Sequence, residues 1–424
     1  MDLICERSAL RGEVDIPGSK SHTIRAVAIA ALAEGKSVIR QPLESKDAEA
    51  CVAVYRAFGA EMAITPEAWH VQGLGGELRT PENVIDVANS GTSLRIAMGS
   101  AALLRTGIAV LTGDAQIRRR PAGPLARSLT GLGARVWSTR DNGCAPFVVE
   151  GRLRGGKTSI EAVTSQYLSS LLMAAPLADG DTEIDVPLLN EAPYVMMTLD
   201  WLERQGIAIE RDGLRWFRVR GGQRYAAFDR RIPGDFSSAT FFLAAGALEG
   251  NNILSRGLDM SEVQGDKAVV DYLRAMGADV AEEQTGVRVR PKALRGTELD
   301  LNATPDALPM MAVLGCFAEG TTRLVNVPQA RLKETDRIAV MRQELTKLGA
   351  RVEELADGLV IHRSTLHGGD VDGQDDHRVV MALAVCATQI AGPVRIRGYE
   401  AAGITYPKFV EDLTRLGGAA RIAG

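Results

Sequence analysis

The strongest constraint on this chain is one helix ending repeated six times. Phe58-Gly59-Ala60-Glu61-Met62 is followed by Leu132-Gly133-Ala134-Arg135-Val136, Gln205-Gly206-Ile207-Ala208-Ile209 and Met276-Gly277-Ala278-Asp279-Val280. Leu348-Gly349-Ala350-Arg351-Val352 and Leu416-Gly417-Gly418-Ala419 complete the series. The intervals between glycines are 74, 73, 71, 72 and 68 residues. A period of this kind decides the architecture before any single element is assigned. Each glycine closes a stretch with one apolar face, such as Val269, Val270, Leu273 and Met276, or Met341, Leu345 and Leu348. Glycine at that place predicts a left-handed helix cap, where a Cβ would clash. The alternation after it, as in Val352-Glu353-Glu354-Leu355, predicts a strand.

A second element keeps the same step. Alanine- and leucine-rich helices are predicted to begin near Ser21, Gly91, Ser165, Ser237, Asp306 and Asp376. They are apolar nearly all round and should therefore be buried. Small polar or acidic residues at their starts suit N-caps and the positive end of the helix dipole. Each unit thus holds one buried helix, one amphipathic helix and intervening strands. Six units in two groups of three predict two similar α/β domains. A solenoid is the alternative, but its repeats usually run to about 20–45 residues, shorter than those here. If the buried helices aim their N-termini at a shared cleft, backbone N–H groups there make an anion site.

Such a site would be local, because the 424 residues carry a net charge of −4. That balance gives no overall basic field for nucleic acid or an anionic membrane. The hydrophobic share of 46% is globular, and the length asks for more than one core. Five scattered cysteines without a C-x-x-C pair argue against a disulfide framework or zinc site and fit a reducing compartment. The start, Met1 to Arg7, lacks a signal-peptide pattern, and no apolar run is long enough for a membrane span. A cytoplasmic protein that uses no metal or other cofactor is expected.

Charged and small polar residues gather at the predicted helix starts. Pro17-Gly18-Ser19-Lys20-Ser21-His22-Thr23-Ile24-Arg25 puts Lys20 and Ser21 at a start and Arg25 one turn on. Asn89-Ser90-Gly91-Thr92-Ser93-Leu94-Arg95 has a glycine that lets backbone approach a ligand. Arg118-Arg119-Arg120-Pro121, Thr164-Ser165-Gln166, Asp306, Lys333-Glu334-Thr335-Asp336-Arg337 and Asp376-His377-Arg378 follow. A helix beginning near Lys333 would put Lys333 and Arg337 on one face. Taken singly, each is an ordinary cap, turn or solvated charge run. Their joint order carries more.

From Pro17 to Pro407 these motifs, in this order and spacing, closely resemble the 5-enolpyruvylshikimate-3-phosphate (EPSP) synthase family. The resemblance implies a two-domain inside-out α/β barrel, or α/β prism, of six βαβαββ repeats, three per domain. It implies one lobe of residues 1–18 plus 235–424, closed by the first strand, another of 19–234, and an active site in the cleft between them. A monomer is expected, with phosphoenolpyruvate and shikimate 3-phosphate as its only partners. By resemblance, Lys20, Arg120, Arg337 and Arg378 clamp phosphoenolpyruvate near the backbone of Gly91. Ser21, Arg25, Thr164, Ser165, Gln166, Tyr194, Asp306, Gln329 and Lys333 hold shikimate 3-phosphate, Arg25 at its carboxylate and Ser165 with Lys333 at its phosphate. Asp306 partners the attacking hydroxyl. Glu334 carries a proton at C3, assisted by Lys20.

Three positions depart from the family pattern. Ile404 stands where a lysine usually precedes the Tyr406-Pro407 pair, and Lys408 lies nearby. Glu191 replaces a serine ahead of Pro193-Tyr194, and Gln329 replaces an asparagine. Loss of a cation at 404 predicts weak binding of glyphosate, an anionic mimic of phosphoenolpyruvate. The related transferase acting on UDP-N-acetylglucosamine typically has Lys-Asn in place of Lys20-Ser21 and a cysteine in the loop aligned with Asp114–Pro121, both missing here. RNA 3′-phosphate cyclases need a nucleophilic histidine. A non-catalytic anion binder would have no use for Asp306, Glu334 and Lys20.

Overall fold

The computed structural model describes residues 1–423. All six helix-ending glycines have positive φ, between 70° and 105°. The repeated Gly signal is therefore a backbone requirement, met by the one residue without a Cβ. The six apolar helices are Lys20–Leu32, Gly91–Ala101, Ser165–Ala174, Phe236–Gly246, Leu308–Phe317 and His377–Ala387. Every residue of the Phe236–Gly246 and His377–Ala387 helices is buried. Their amphipathic partners are Lys46–Ala57, Gly123–Gly131, Ala192–Arg204, Ala268–Ala275, Arg337–Lys347 and Phe409–Arg415. Each turns one face inward and leaves the other wet, as their spacing demands.

The strands form six four-stranded sheets with one recurring order. In Ile85–Asp86, Ile108–Thr112, Phe147–Glu150 and Arg135–Ser138, the first pair is parallel and the other two pairs are antiparallel. That is a βαβαββ repeat: the buried helix supplies the parallel crossover, and the amphipathic helix leads to the closing hairpin.

The chain divides into two compact units, Met1–Ser19 with Pro233–Gly424, and Lys20–Ile232. Each holds three sheets around three buried helices, the inside-out arrangement expected of a prism. Two strands from the start of the chain belong to the first unit. Asp2–Glu6 lies between Ala391–Arg397 and Ala419–Ala423, antiparallel to both. Arg11–Asp15 runs parallel to Asn252–Arg256. In the second unit, Asp229–Arg231 returns to pair in parallel with Lys36–Arg40.

One helix start differs from the sequence expectation. Arg337, not Lys333, opens its helix, because the carboxylate of Asp336 caps it by accepting from Ala339 N at 3.0 Å. Lys333 and Glu334 therefore lie in the preceding loop, and no helical face joins Lys333 to Arg337. Among the described residues no helix is long and apolar enough to cross a membrane. The five cysteines are buried free thiols.

Candidate active site

In the unit of Lys20–Ile232, the Gly91–Ala101 and Ser165–Ala174 helices pack so closely that a Cβ on Gly99 would lie 2.5 Å from Ser170 Oγ. Ser170 Oγ donates to the Arg95 carbonyl at 2.6 Å. Arg95 meets Ser170, and a Cβ on Gly99 one turn later would meet Ala174 Cβ at 3.4 Å, so the two helices run parallel and start at the same end. Around those starts the predicted residues assemble. A Cβ on Gly91 would lie 2.7 Å from Arg120 Cζ and Nη2 and 2.6 Å from Arg95 Nη1. The Arg120 guanidinium thus rests on the backbone of the Gly91 turn, a place only glycine allows. Arg118 and Arg119 are exposed, while Arg120 is buried, so one of the three adjacent arginines turns inward.

Arg120 is held there by its neighbour. The Pro121 carbonyl accepts from Arg95 Nη2 at 2.9 Å and from the Tyr167 hydroxyl at 2.6 Å. Lys20 pairs with Asp47 at 3.2 Å, and Asp47 is itself buried in the first turn of the Lys46–Ala57 helix. Arg25 is buried and donates to Thr198 Oγ1, the Ser21 carbonyl, Ser169 Oγ and the Tyr194 carbonyl at 2.9–3.3 Å. All four acceptors are neutral. Burial accordingly pulls the Arg25 pKa down to about 10. Thr164 and Ser165 meet the carboxylate of Glu191, and Gln166 stands one residue further with a buried Oε1 that has no hydrogen-bond partner among the described residues.

In the unit of Met1–Ser19 with Pro233–Gly424, Arg337 is the hub. Its Nε donates to Asp376 Oδ2 at 2.8 Å, Nη1 to Asp306 Oδ1 at 2.6 Å and Nη2 to Glu334 Oε2 at 2.6 Å. Burial, the largest influence, pulls the Arg337 pKa down, but Asp376, Glu334 and Asp306 together drive it well above the ordinary arginine value. Arg337 is a permanent cation. Arg378 joins through Asp306 Oδ2 at 2.9 Å and donates Nη1 to the Ser237 carbonyl at 3.3 Å. Arg378 therefore ties together the starts of the Phe236–Gly246, Leu308–Phe317 and His377–Ala387 helices. Gln329 is buried, donating Nε2 to the Asn302 carbonyl at 2.9 Å. Lys333 follows the short Pro328–Leu332 turn and is half-buried.

The departing positions resolve differently. Ile404 is buried in the apolar core of its unit, and Lys408 is exposed at the start of the Phe409–Arg415 helix. Lys408 does not take the place of the missing cation in the Arg337 and Arg378 cluster. Of the histidines at motif positions, His22 is a core residue whose Nδ1 accepts from Trp201 Nε1 at 3.0 Å, and His377 is also buried. Neither is presented as a nucleophile.

Sequence reasoning missed Asp47, Arg95 and Asp376 as members of these clusters. Asp47 lies 27 residues from Lys20 and carries no motif. Asp376 was legible only as a helix cap, a part it does play by accepting from Arg378 N at 2.9 Å. Its second part, as counter-ion to Arg337, depends on a contact 39 residues away.

Two units of three βαβαββ repeats, with arginines at several helix starts, define an enolpyruvyl-transferase type of fold. The family profile of EPSP synthase (3-phosphoshikimate 1-carboxyvinyltransferase) matches residues 4–413, and the chain belongs to that family. It is 51% identical over 418 residues to the 3-phosphoshikimate 1-carboxyvinyltransferase of Ruminiclostridium cellulolyticum, covering 99% of each chain. It is 52% identical to that of Acetivibrio thermocellus, covering 98% of each. Its fold matches the solved EPSP synthase of Acinetobacter baumannii with a TM-score of 0.85 at 26% identity, over the full length of both.

Proposed function

We propose that the chain transfers the enolpyruvyl group of phosphoenolpyruvate to the 5-hydroxyl of shikimate 3-phosphate, releasing inorganic phosphate. One observation carries the assignment of roles. The buried cations Arg337 and Arg378 are balanced by Asp306 and Glu334, the carboxylates the reaction needs for proton transfer. Phosphoenolpyruvate brings its own anionic groups to Arg337 and Arg378. It thereby releases Asp306 and Glu334 from pairing and makes them more basic when the chemistry needs them.

In this reading, Arg120, Arg337, Arg378 and Lys20 fix phosphoenolpyruvate by paired, charge-assisted contacts. Arg25 takes the acceptor's carboxylate, and Thr164 and Ser165 its phosphate, with Lys333 contributing. Gln166, Tyr194, Ser21 and Gln329 orient its ring. The acceptor's 5-oxygen attacks C2 of the enol while its proton passes to Asp306, and C3 takes a proton from Glu334. From the tetrahedral adduct, the bond between C2 and the phosphate oxygen breaks, and the departing phosphate takes the proton that Asp306 received, which restores the carboxylate. C3 returns its proton to Glu334, and the enol ether remains on the acceptor. Fixed guanidinium groups stabilise the developing charge without reorganising. Asp47 keeps Lys20 oriented beside this chemistry.

The test is phosphate release from purified protein with phosphoenolpyruvate and shikimate 3-phosphate, with UDP-N-acetylglucosamine as the parallel acceptor. Release with shikimate 3-phosphate alone is expected. Release only with the nucleotide sugar, or with neither acceptor, overturns the reading.

A further inference from the structure

The Ser165–Ala174 helix is not capped by its own N-cap residue, since Thr164 makes no side-chain cap bond. Its orphan donors go instead to another segment. Glu191 Oε2 accepts from Ser165 N at 3.0 Å, Ser165 Oγ at 2.8 Å and Thr164 Oγ1 at 2.9 Å. Three donors thus converge on one anionic oxygen, the coordination that a phosphate oxygen takes at a helix start. Glu191 is only 2% exposed.

The second strand of each repeat is followed within two residues by a left-handed residue in five of the six repeats. These are Gln41, Glu191, Gly257, Asn326 and Gly398, with φ from 50° to 82°. Glycine and asparagine adopt that conformation at least cost, and glutamate is poorly suited to it. The fold demands the bend, but it does not demand a carboxylate. What glutamate adds over Gly257, Asn326 or Gly398 is reach and charge, and both are spent on Thr164 and Ser165.

We propose that Glu191 is a tethered competitor, an internal anion occupying the donor set that the acceptor's phosphate must take. The proposal rests on the reading that Thr164 and Ser165 hold that phosphate. Acceptor binding then includes an exchange in which the Glu191 carboxylate leaves Ser165 and the phosphate enters. The exchange lowers the affinity for shikimate 3-phosphate, because only the fraction with the carboxylate displaced is competent. It also sets a threshold: a dianionic phosphate displaces the carboxylate, and an acceptor lacking a phosphate does not. Glu191 is in this sense a specificity-determining residue that does not touch the reacting atoms.

The experiment compares steady-state kinetics of Glu191→Asn, Glu191→Gln and Ser165→Ala. Asparagine suits the left-handed backbone, as at Asn326, and is shorter and uncharged. Glutamine keeps the reach and removes the charge, so it tests the proposal even if the shorter variant folds poorly. The expected result is a fall in the KM for shikimate 3-phosphate of about tenfold, equivalent to about 1.4 kcal/mol of competition removed. The KM for phosphoenolpyruvate should hold. A residue with a merely structural capping part would raise the acceptor KM when replaced. If Ser165→Ala raises the acceptor KM but both Glu191 variants leave it unchanged or higher, the competitor is overturned and the phosphate site stands. If Ser165→Ala, added to Glu191→Gln so that no carboxylate competes, leaves the acceptor KM of that variant unchanged, the phosphate site itself is wrong and the competitor falls with it.

Discussion

Replacing Gly91 by alanine tests the geometry of the site most directly. The added methyl would meet Arg120 Cζ and Nη2 at 2.7 Å and Arg95 Nη1 at 2.6 Å. Ordinary contact for such atoms begins at about 3.5 Å, so the guanidinium groups must retreat by about 1 Å. Both belong to the far ends of flexible side chains, and the helix backbone conformation at 91 suits alanine. The fold should therefore survive, with a stability change within about 1 kcal/mol. The site should not. A displacement of about 1 Å in a positioning group costs up to about 100-fold in rate. The expected result is a KM for phosphoenolpyruvate raised about 10- to 100-fold, with the KM for shikimate 3-phosphate changed less than threefold. Phosphate release as a function of each substrate separates the two, and thermal unfolding checks the fold. An unchanged KM for phosphoenolpyruvate in a folded variant would refute the placement of Arg120 over this turn.

Asp376→Asn leaves the buried Arg337 with one counter-ion fewer and should lower stability by about 3 kcal/mol, read as a drop in Tm of several degrees, together with a higher KM for phosphoenolpyruvate. Arg25, with its pKa lowered to about 10 by burial, should lose its proton well below the ordinary arginine range. Below that value it is a cation, so kcat/KM for shikimate 3-phosphate should be steady from neutral pH and fall above about pH 10; a profile flat to pH 11 would refute the lowering by burial, and an unchanged KM for shikimate 3-phosphate in Arg25→Gln would remove Arg25 from carboxylate binding. The natural chain should resist glyphosate at matched phosphoenolpyruvate, and Ile404→Lys should lower the inhibitory concentration at least tenfold. Equal inhibition of both forms would show that position 404 does not govern it.

The repeated architecture could be read from the sequence because it rests on a local rule. Gly59, Gly133, Gly206, Gly277, Gly349 and Gly417 are needed by their own backbone angles, and a local need leaves a mark at a fixed place. Gly91 and Arg120 were legible for a similar reason, as parts of short motifs. Asp47 and Asp376 were not, because a counter-ion is defined by a contact across the fold, and many acidic positions look the same in one dimension. The start of the Arg337–Lys347 helix was misplaced by one turn since Glu334 and Asp336 offer competing acidic starts. The choice falls to Asp336, whose carboxylate reaches Ala339 N while Arg331 holds its other oxygen at 2.6 Å. The capping of one helix by Glu191 from 26 residues away was equally beyond a reading of periodicity.

The placement of the Asp2–Glu6 strand between Ala391–Arg397 and Ala419–Ala423 has a consequence for synthesis on the ribosome. This strand is made more than 380 residues before the two it pairs with. At about 5–20 residues per second, its neighbours emerge roughly 20–80 s later. Meanwhile the segment Lys20–Ile232 has left the ribosome whole and can fold, whereas Leu3 and Cys5, both destined for full burial, wait uncovered. Nascent-chain protection by chaperones should concentrate on that waiting strand.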